Sequence, residues 1–258
     1  MRPFTIVLRQ SLEWSCITRE EYRVHSRDFC RSINRPPDQM NELVDLWDVS
    51  FRISYFETRQ RMKDIAISNL ANVRNAHFVD VGAFAVADAC AVCFVDDDDW
   101  FAPDLGEHLD FASGCDGLIW THVAVGFLTD PYPLQSWPPG TSELLCFTNN
   151  YAVSADYART HGIDHVAQHW LADAAFRSLR IRPIPFRLSV ANKHPASVVS
   201  LERHLEGQFT PAKLRDVLAT FVRGTRALDE GILDGIEWAR PLIAAASGHF
   251  EQVLASAY

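Results

Sequence analysis

Four consecutive aspartates, Asp96, Asp97, Asp98 and Asp99, come directly after seven apolar residues, 89–95, and lead into Trp100-Phe-Ala-Pro103. On extended backbone, side chains two apart share a face, so Asp96 and Asp98 can converge on one point. Like charges that close repel one another, so either their pKa values rise or a cation sits among them. A hard divalent cation such as Mg²⁺ or Mn²⁺ takes oxygen ligands, commonly one or two carboxylates together with substrate phosphates. The run therefore implies a diphosphate ligand. A solvated acidic turn is the ordinary reading of a charge run, and it fits poorly behind seven apolar residues.

A second group with ligand chemistry is Asn149-Asn150-Tyr151, which comes after the Trp137-Pro-Pro-Gly140 segment. Amides bind sugar hydroxyls and aromatic rings stack on sugar faces, so Asn149, Asn150 and Tyr151 are candidates for an acceptor site. Trp120 and Trp137 are further aromatic platforms, although core packing is the commoner role of any one Trp.

These residues need elements to hold them. The β-branched run at residues 4–9 reads as a first strand, and Pro36-Pro37 as a break. Over residues 55–73, apolar side chains recur at three- and four-residue steps, which predicts an amphipathic helix. Residues 77–81 and 89–95 read as two central strands, the second apolar enough to be covered on both faces. Next come a helix over 104–111, a strand over 116–122, a lid-like loop over 129–142 and helices over 154–160 and 164–179. Residues 181–190 read as extended, and helical spacing runs from Pro211 to the end. Strands and helices alternate, the pattern of an α/β sandwich with a mostly parallel sheet. In such a sheet ligands bind outside the carboxyl ends of the strands, where the acidic run falls.

Phe94-Val-Asp-Asp-Asp-Asp-Trp-Phe-Ala-Pro-Asp104 resembles the Asp-x-Asp segment of GT-A glycosyltransferases, in which an apolar strand runs into acidic residues, then an aromatic residue, a Pro and a helix. The resemblance is to the bacterial polysaccharide-type transferases and covers residues 78–197; residues 10–75 do not align. It implies a GT-A-like, Rossmann-like fold, with a catalytic domain over residues 1–205 and a C-terminal helical extension over 206–258. By the same resemblance Asp96 and Asp98 are the Asp-x-Asp pair, with Asp97 and Asp99 beside them, and Mn²⁺ or Mg²⁺ is the cofactor. Asp80 matches an acidic residue that contacts the nucleotide base, and Arg9 stands where it can meet the nucleotide or a phosphate. His194 matches a late metal-binding His, and Lys193 can neutralise the departing diphosphate. An inverting transferase also needs a base for the acceptor hydroxyl. The Glu-Asp pair of the family corresponds to Ala172-Asp173 here, which leaves Asp173 as candidate base and His169 as fallback.

The expected partners are a nucleotide-diphosphate sugar and a glycan or other hydroxyl-bearing acceptor, with surface polysaccharide assembly as the setting. Because Ala172 replaces a carboxylate, a non-catalytic carbohydrate- or cation-binding module is the alternative. An Asp-nucleophile phosphatase-like hydrolase ranks lower, since Trp100 stands where such enzymes carry a small residue. The 258 residues hold 24 Lys and Arg against 33 Asp and Glu, a net charge of −9. That balance argues against a general phosphate-gripping surface for nucleic acid. The longest apolar stretch, residues 83–95, contains Asp88 and is too short to span a bilayer. Six scattered cysteines fit reduced thiols and a cytoplasmic protein, and the Cys90-x-x-Cys93 spacing reads as core packing.

Overall fold

A computed structural model of the protein describes residues 4–10, 37–55, 64, 67–68, 70–80, 91–96, 99–111, 114–126, 134–137, 149–161, 180–193, 211–226 and 233–256. The elements are β1 (Phe4–Gln10), α1 (Pro37–Leu46), β2 (Val49–Tyr55), β3 (Ala76–Asp80), β4 (Ala91–Asp96), β5 (Trp100–Phe101), α2 (Leu105–His108), β6 (Gly117–Trp120), β7 (His122–Gly126), β8 (Leu134–Trp137), β9 (Tyr151–Ser154), α3 (Ala155–His161), β10 (Ile181–Ile184), β11 (Ser189–Lys193), α4 (Pro211–Arg226) and α5 (Arg240–Ser256).

Seven strands form one sheet in the order β10-β6-β9-β4-β1-β2-β3. All its neighbour pairs are parallel except those of β9, which runs antiparallel to β4 and to β6. A second sheet has the order β5-β11-β7-β8. This is the expected α/β arrangement, a mostly parallel sheet with helices and a helical C-terminal part.

β4 lies at the middle of the large sheet, and its residues Ala91, Val92, Cys93, Phe94 and Val95 are all 1% exposed or less. Both faces are covered, which is why the strand is continuously apolar rather than alternating. Each large side chain so buried contributes roughly 1.5–3 kcal/mol, enough to fix where the strand begins and ends. Cys93 is a buried cysteine, 0% exposed.

Before it, α1 sets Met40 and Leu43 against Phe4, Ile6, Val49 and Phe51 of β1 and β2. Pro37 opens this helix, where a missing N–H costs nothing. Asn75 turns the chain into β3 with φ 56°, a left-handed conformation that Asn tolerates, and its amide donates to the Val49 carbonyl at 3.2 Å.

Four expectations change. The helix expected over 55–73 keeps helical residues at 64, 67 and 68 but not its ends: Tyr55 closes β2 and 70–72 form a turn, while 56–63, 65, 66 and 69 lie outside the described residues. Residues 77–81 are not a central strand, because β3 is an edge of the large sheet and His77 is exposed. The loop over 129–142 contains strand β8, paired antiparallel with β7 from Leu134 opposite Val125 to Trp137 opposite His122. Prolines bracket it at 131, 133, 138 and 139; at the edge of its sheet it can end on them without losing a ladder bond. The helix expected over 104–111 is the single turn α2. Residues 164–179 lie outside the described residues.

The C-terminal elements share a core with the second sheet. Leu233, Ile236, Ala239 and Ile243 cluster with Trp100 of β5, Val123 and Val125 of β7 and Val190 of β11. Among the described residues no helix is long and apolar enough to cross a membrane.

Candidate functional site

Four parallel strands end at one edge of the large sheet, and registration decides which residues meet there. Arg9 of β1 is paired with Asp96 of β4 on one side and Ser54 of β2 on the other, and Tyr55 of β2 is paired with Asp80 of β3. Neighbouring strands are about 4.8 Å apart, so Asp96 and Asp80, three strands distant, mark the ends of a row of about 14 Å. Arg9, Asp80 and Asp96 thus belong to one edge by backbone position.

The acidic run leaves the large sheet at Asp96 and reaches the second sheet at Trp100. Asp97 and Asp98 lie outside the described residues. Asp99 is 3% exposed, so it is enclosed by the fold. β5 then pairs antiparallel with β11, Trp100 opposite Val190 and Phe101 opposite Ser189. Because the strands run in opposite directions, β11 continues from Val190 toward the side from which the acidic run enters. Lys193, three residues on and about 10 Å farther at 3.3 Å per residue, ends the strand on that side. His194 comes next, outside the described residues, as do His169 and Asp173. Among the described residues no group of three or more His, Cys, Asp or Glu is gathered to hold a metal ion.

Two other connections cross between the sheets beside the acidic one. β6 passes into β7 through Thr121, and β10 into β11 through residues 185–188. The seam is closed by hydrogen bonds. Trp120 Nε1 donates to Ser189 Oγ at 2.8 Å, Thr121 N to the Phe186 carbonyl at 3.2 Å, and Ala102 N to the Leu188 carbonyl at 2.9 Å. Trp47 reinforces the exit of the acidic segment, since its Nε1 donates to the Pro103 carbonyl at 2.7 Å. Its ring lies where a Cβ on residue 106 would stand, 2.3 Å away, so Gly106 is required for that contact.

Asn149 and Asn150 stand just before β9 and are each 1% exposed. Asn150 is locked to β6: its Nδ2 donates to the Trp120 carbonyl at 3.2 Å, and Trp120 N donates to its carbonyl at 3.0 Å. Asn149 Oδ1 lies 3.1 Å from Nδ1 of His122, itself 3% exposed. An amide oxygen only accepts, so His122 carries its proton on Nδ1 in this contact. Among the described residues, Asn149 Nδ2 is buried and has no hydrogen-bond partner. Trp137 is the register partner of His122 across β7 and β8.

The rings sort differently from the amides. Tyr151 and Trp120 are 1% and 0% exposed, Tyr151 packed on Phe94 at 5.6 Å and Trp120 edge-on to Phe101 at 6.4 Å. Both are core residues that hold β4, β5, β6 and β9 together, and neither offers a face to a sugar in this conformation. Sequence reasoning gave His122 and Ser189 no role. The one available signal for His122 was a titratable residue at the end of an apolar strand.

At the opposite, amino edge of the sheet, Arg180 holds Asp116 through two bonds, Nε to Oδ2 at 2.8 Å and Nη2 to Oδ1 at 2.9 Å. That forked contact, together with the carboxylate's charge, pushes the guanidinium pKa further up. It pins β10 against β6 and takes no part in the carboxyl-edge constellation.

No family model and no curated protein matches the sequence. Among solved structures, the chain is similar to residues 1–349 of TarS from S. aureus, with 13% identity over 98% of this chain and 81% of that one, TM-score 0.40. It is similar to the mannosyltransferase PcManGT from Pyrobaculum calidifontis, solved with GDP-Man and Mn²⁺, with 12% identity over 100% and 80%, TM-score 0.41. The inositol-1-phosphate CTP transferase from T. maritima gives 11% identity over 81% and 98%, TM-score 0.42. Similarity at this level carries nothing about substrates or residue roles.

Proposed function

We propose that the protein is a metal-dependent glycosyltransferase that moves a sugar from a nucleotide-diphosphate donor to a glycan or other hydroxyl acceptor. The observation that carries the reading is the position of the acidic run: it leaves the buried central strand at the edge where the parallel strands end, in the seam between the two sheets. In an open α/β sheet that edge is the ligand crevice.

In this reading Asp96, Asp98, Asp99 and His194 hold Mn²⁺ or Mg²⁺, and Asp97 joins Asp96 in binding the nucleotide donor. The donor set is mainly carboxylate oxygen, which suits a hard cation. Such a cation, when bound, stabilises negative charge on a leaving diphosphate. Arg9 and Lys193 supply cationic hydrogen bonds to phosphate from two sides of the edge, and Asp80 meets the nucleotide base at the end of the row. Asp173 takes the proton of the acceptor hydroxyl, with His169 as the alternative base. Trp137, Asn149 and Asn150 border the acceptor side, whereas Tyr151 supports it from the core. Holding the acceptor hydroxyl against the sugar carbon supplies the orientation on which transfer depends. Surface polysaccharide assembly is the setting this chemistry suits.

The test is calorimetric titration of UDP and GDP, each with Mn²⁺ and with a chelator, on wild type and Asp98→Ala. Metal-dependent binding of one nucleotide, weakened at least a hundredfold in the variant, is expected. Absence of binding to both sinks UDP- and GDP-linked donors. Binding without turnover of any nucleotide sugar favours the non-catalytic module, for which Ala172 in place of a carboxylate speaks.

A further inference from the structure

The buried pair His122–Asn149 leaves one polar atom, Nδ2 of Asn149, without a partner among the described residues. A polar side chain that is 1% exposed ordinarily finds partners for its donors, because an enclosed unpaired donor loses its hydration for nothing. Asn149 keeps its oxygen satisfied by His122, and its nitrogen has no partner among the described residues. A histidine proton thereby fixes which way the amide faces.

Register says what that nitrogen is near. β4 and β9 pair antiparallel, Ala91 with Ser154, Val92 with Val153 and Cys93 with Ala152. Each step forward on β4 is one step back on β9, so the same register carried three residues further puts Asn149 opposite Asp96. On the other side, β6 and β9 pair Ile119 with Tyr151, and the Trp120–Asn150 hydrogen bonds continue that ladder past the strand end. Asn149 is therefore the residue of β9's approach that lies between the acidic strand end and the β6–β7 crossing.

We propose that Asn149, held by His122, is a positioning residue for the acidic end of β4: with a divalent cation bound there, its amide N–H donates to the carboxylate of Asp96. The inference rests on the acidic run being a cation site, and it assigns Asn149 to the metal side rather than the acceptor side. A carboxylate that binds a cation through one oxygen needs its other oxygen oriented, and such outer partners commonly govern metal affinity by 10- to 100-fold. The nitrogen's enclosure fits this role.

The experiment measures Mn²⁺ affinity by electron paramagnetic resonance, with UDP or GDP present, on wild type, Asn149→Asp, Asn149→Leu and the double variant His122→Phe/Asn149→Leu. Asn149→Asp keeps the oxygen that His122 binds and removes the N–H. The double variant replaces both partners with apolar groups and is expected to melt at or above the wild-type temperature. All three are expected to bind Mn²⁺ about 10- to 100-fold more weakly, with no further loss when each is combined with Asp96→Asn. Wild-type affinity in the folded double variant overturns the positioning role while leaving the cation site intact. Failure of wild type itself to bind Mn²⁺ overturns the cation site, and this inference with it.

Discussion

The carboxyl edge of the large sheet and the α4–α5 helix pair are both rich in polar groups, and they hold them in opposite ways. At the edge, His122, Asn149, Asn150 and Ser189 are 3% exposed or less and joined by hydrogen bonds to one another and to Trp120. Between the helices, Arg226 and Glu251 form an ion pair at 2.5 Å with side chains 67% and 36% exposed, beside a cavity of about 310 Å³ floored by Leu233 and Ile243. Buried polar groups are costly unless each is matched, so their arrangement is fixed; exposed ion pairs are screened and worth little. The edge is therefore where small changes should register as function, and the helix pair where they should not.

Trp120→Ala probes the contrast most strongly. The side chain is fully buried, edge-on to Phe101, and its Nε1 is bound to Ser189. Its loss is expected to destabilise by about 3–5 kcal/mol in a urea titration, and to loosen the seam that carries the acidic run. Loss of less than about 1 kcal/mol would show that the seam is not held there. Arg226→Ala sits at the other end of the scale. The exposed, solvent-screened pair is expected to change stability by no more than about 0.5 kcal/mol and to leave nucleotide binding untouched. A larger effect on binding would make the helix pair part of the site.

Legibility in the sequence varied with how local each signal was. β4 and its acidic exit were readable because five buried residues on both faces leave a continuous apolar run, and the charge change marks its end. β2 was overlooked although Val49, Phe51, Ile53 and Tyr55 alternate with Ser50, Arg52 and Ser54. That two-residue period lies in residues 10–75, which the resemblance does not cover, and the helical spacing over residues 55–73 begins on the strand's last residue. β8 was hidden by its prolines, because only pairing with β7 shows that they bracket a strand. The His122–Asn149 pair was not legible at all: its partners are 27 residues apart, and the contact exists only because β6 and β9 are neighbours. Nor does a ring's sequence position say whether it faces ligand or core, as the burial of Tyr151 and Trp120 shows.

Binding of a divalent cation together with a nucleoside diphosphate at the end of β4 is the proposal on which the other roles depend. Crystals grown with Mn²⁺ and whichever of UDP or GDP binds in solution, and measured at the manganese absorption edge, test it. An anomalous peak is expected within about 2.5 Å of carboxylate oxygens of the Asp96–Asp99 run, bridged to the diphosphate. A bound nucleotide whose diphosphate lies elsewhere, or a manganese peak away from that run, would contradict it.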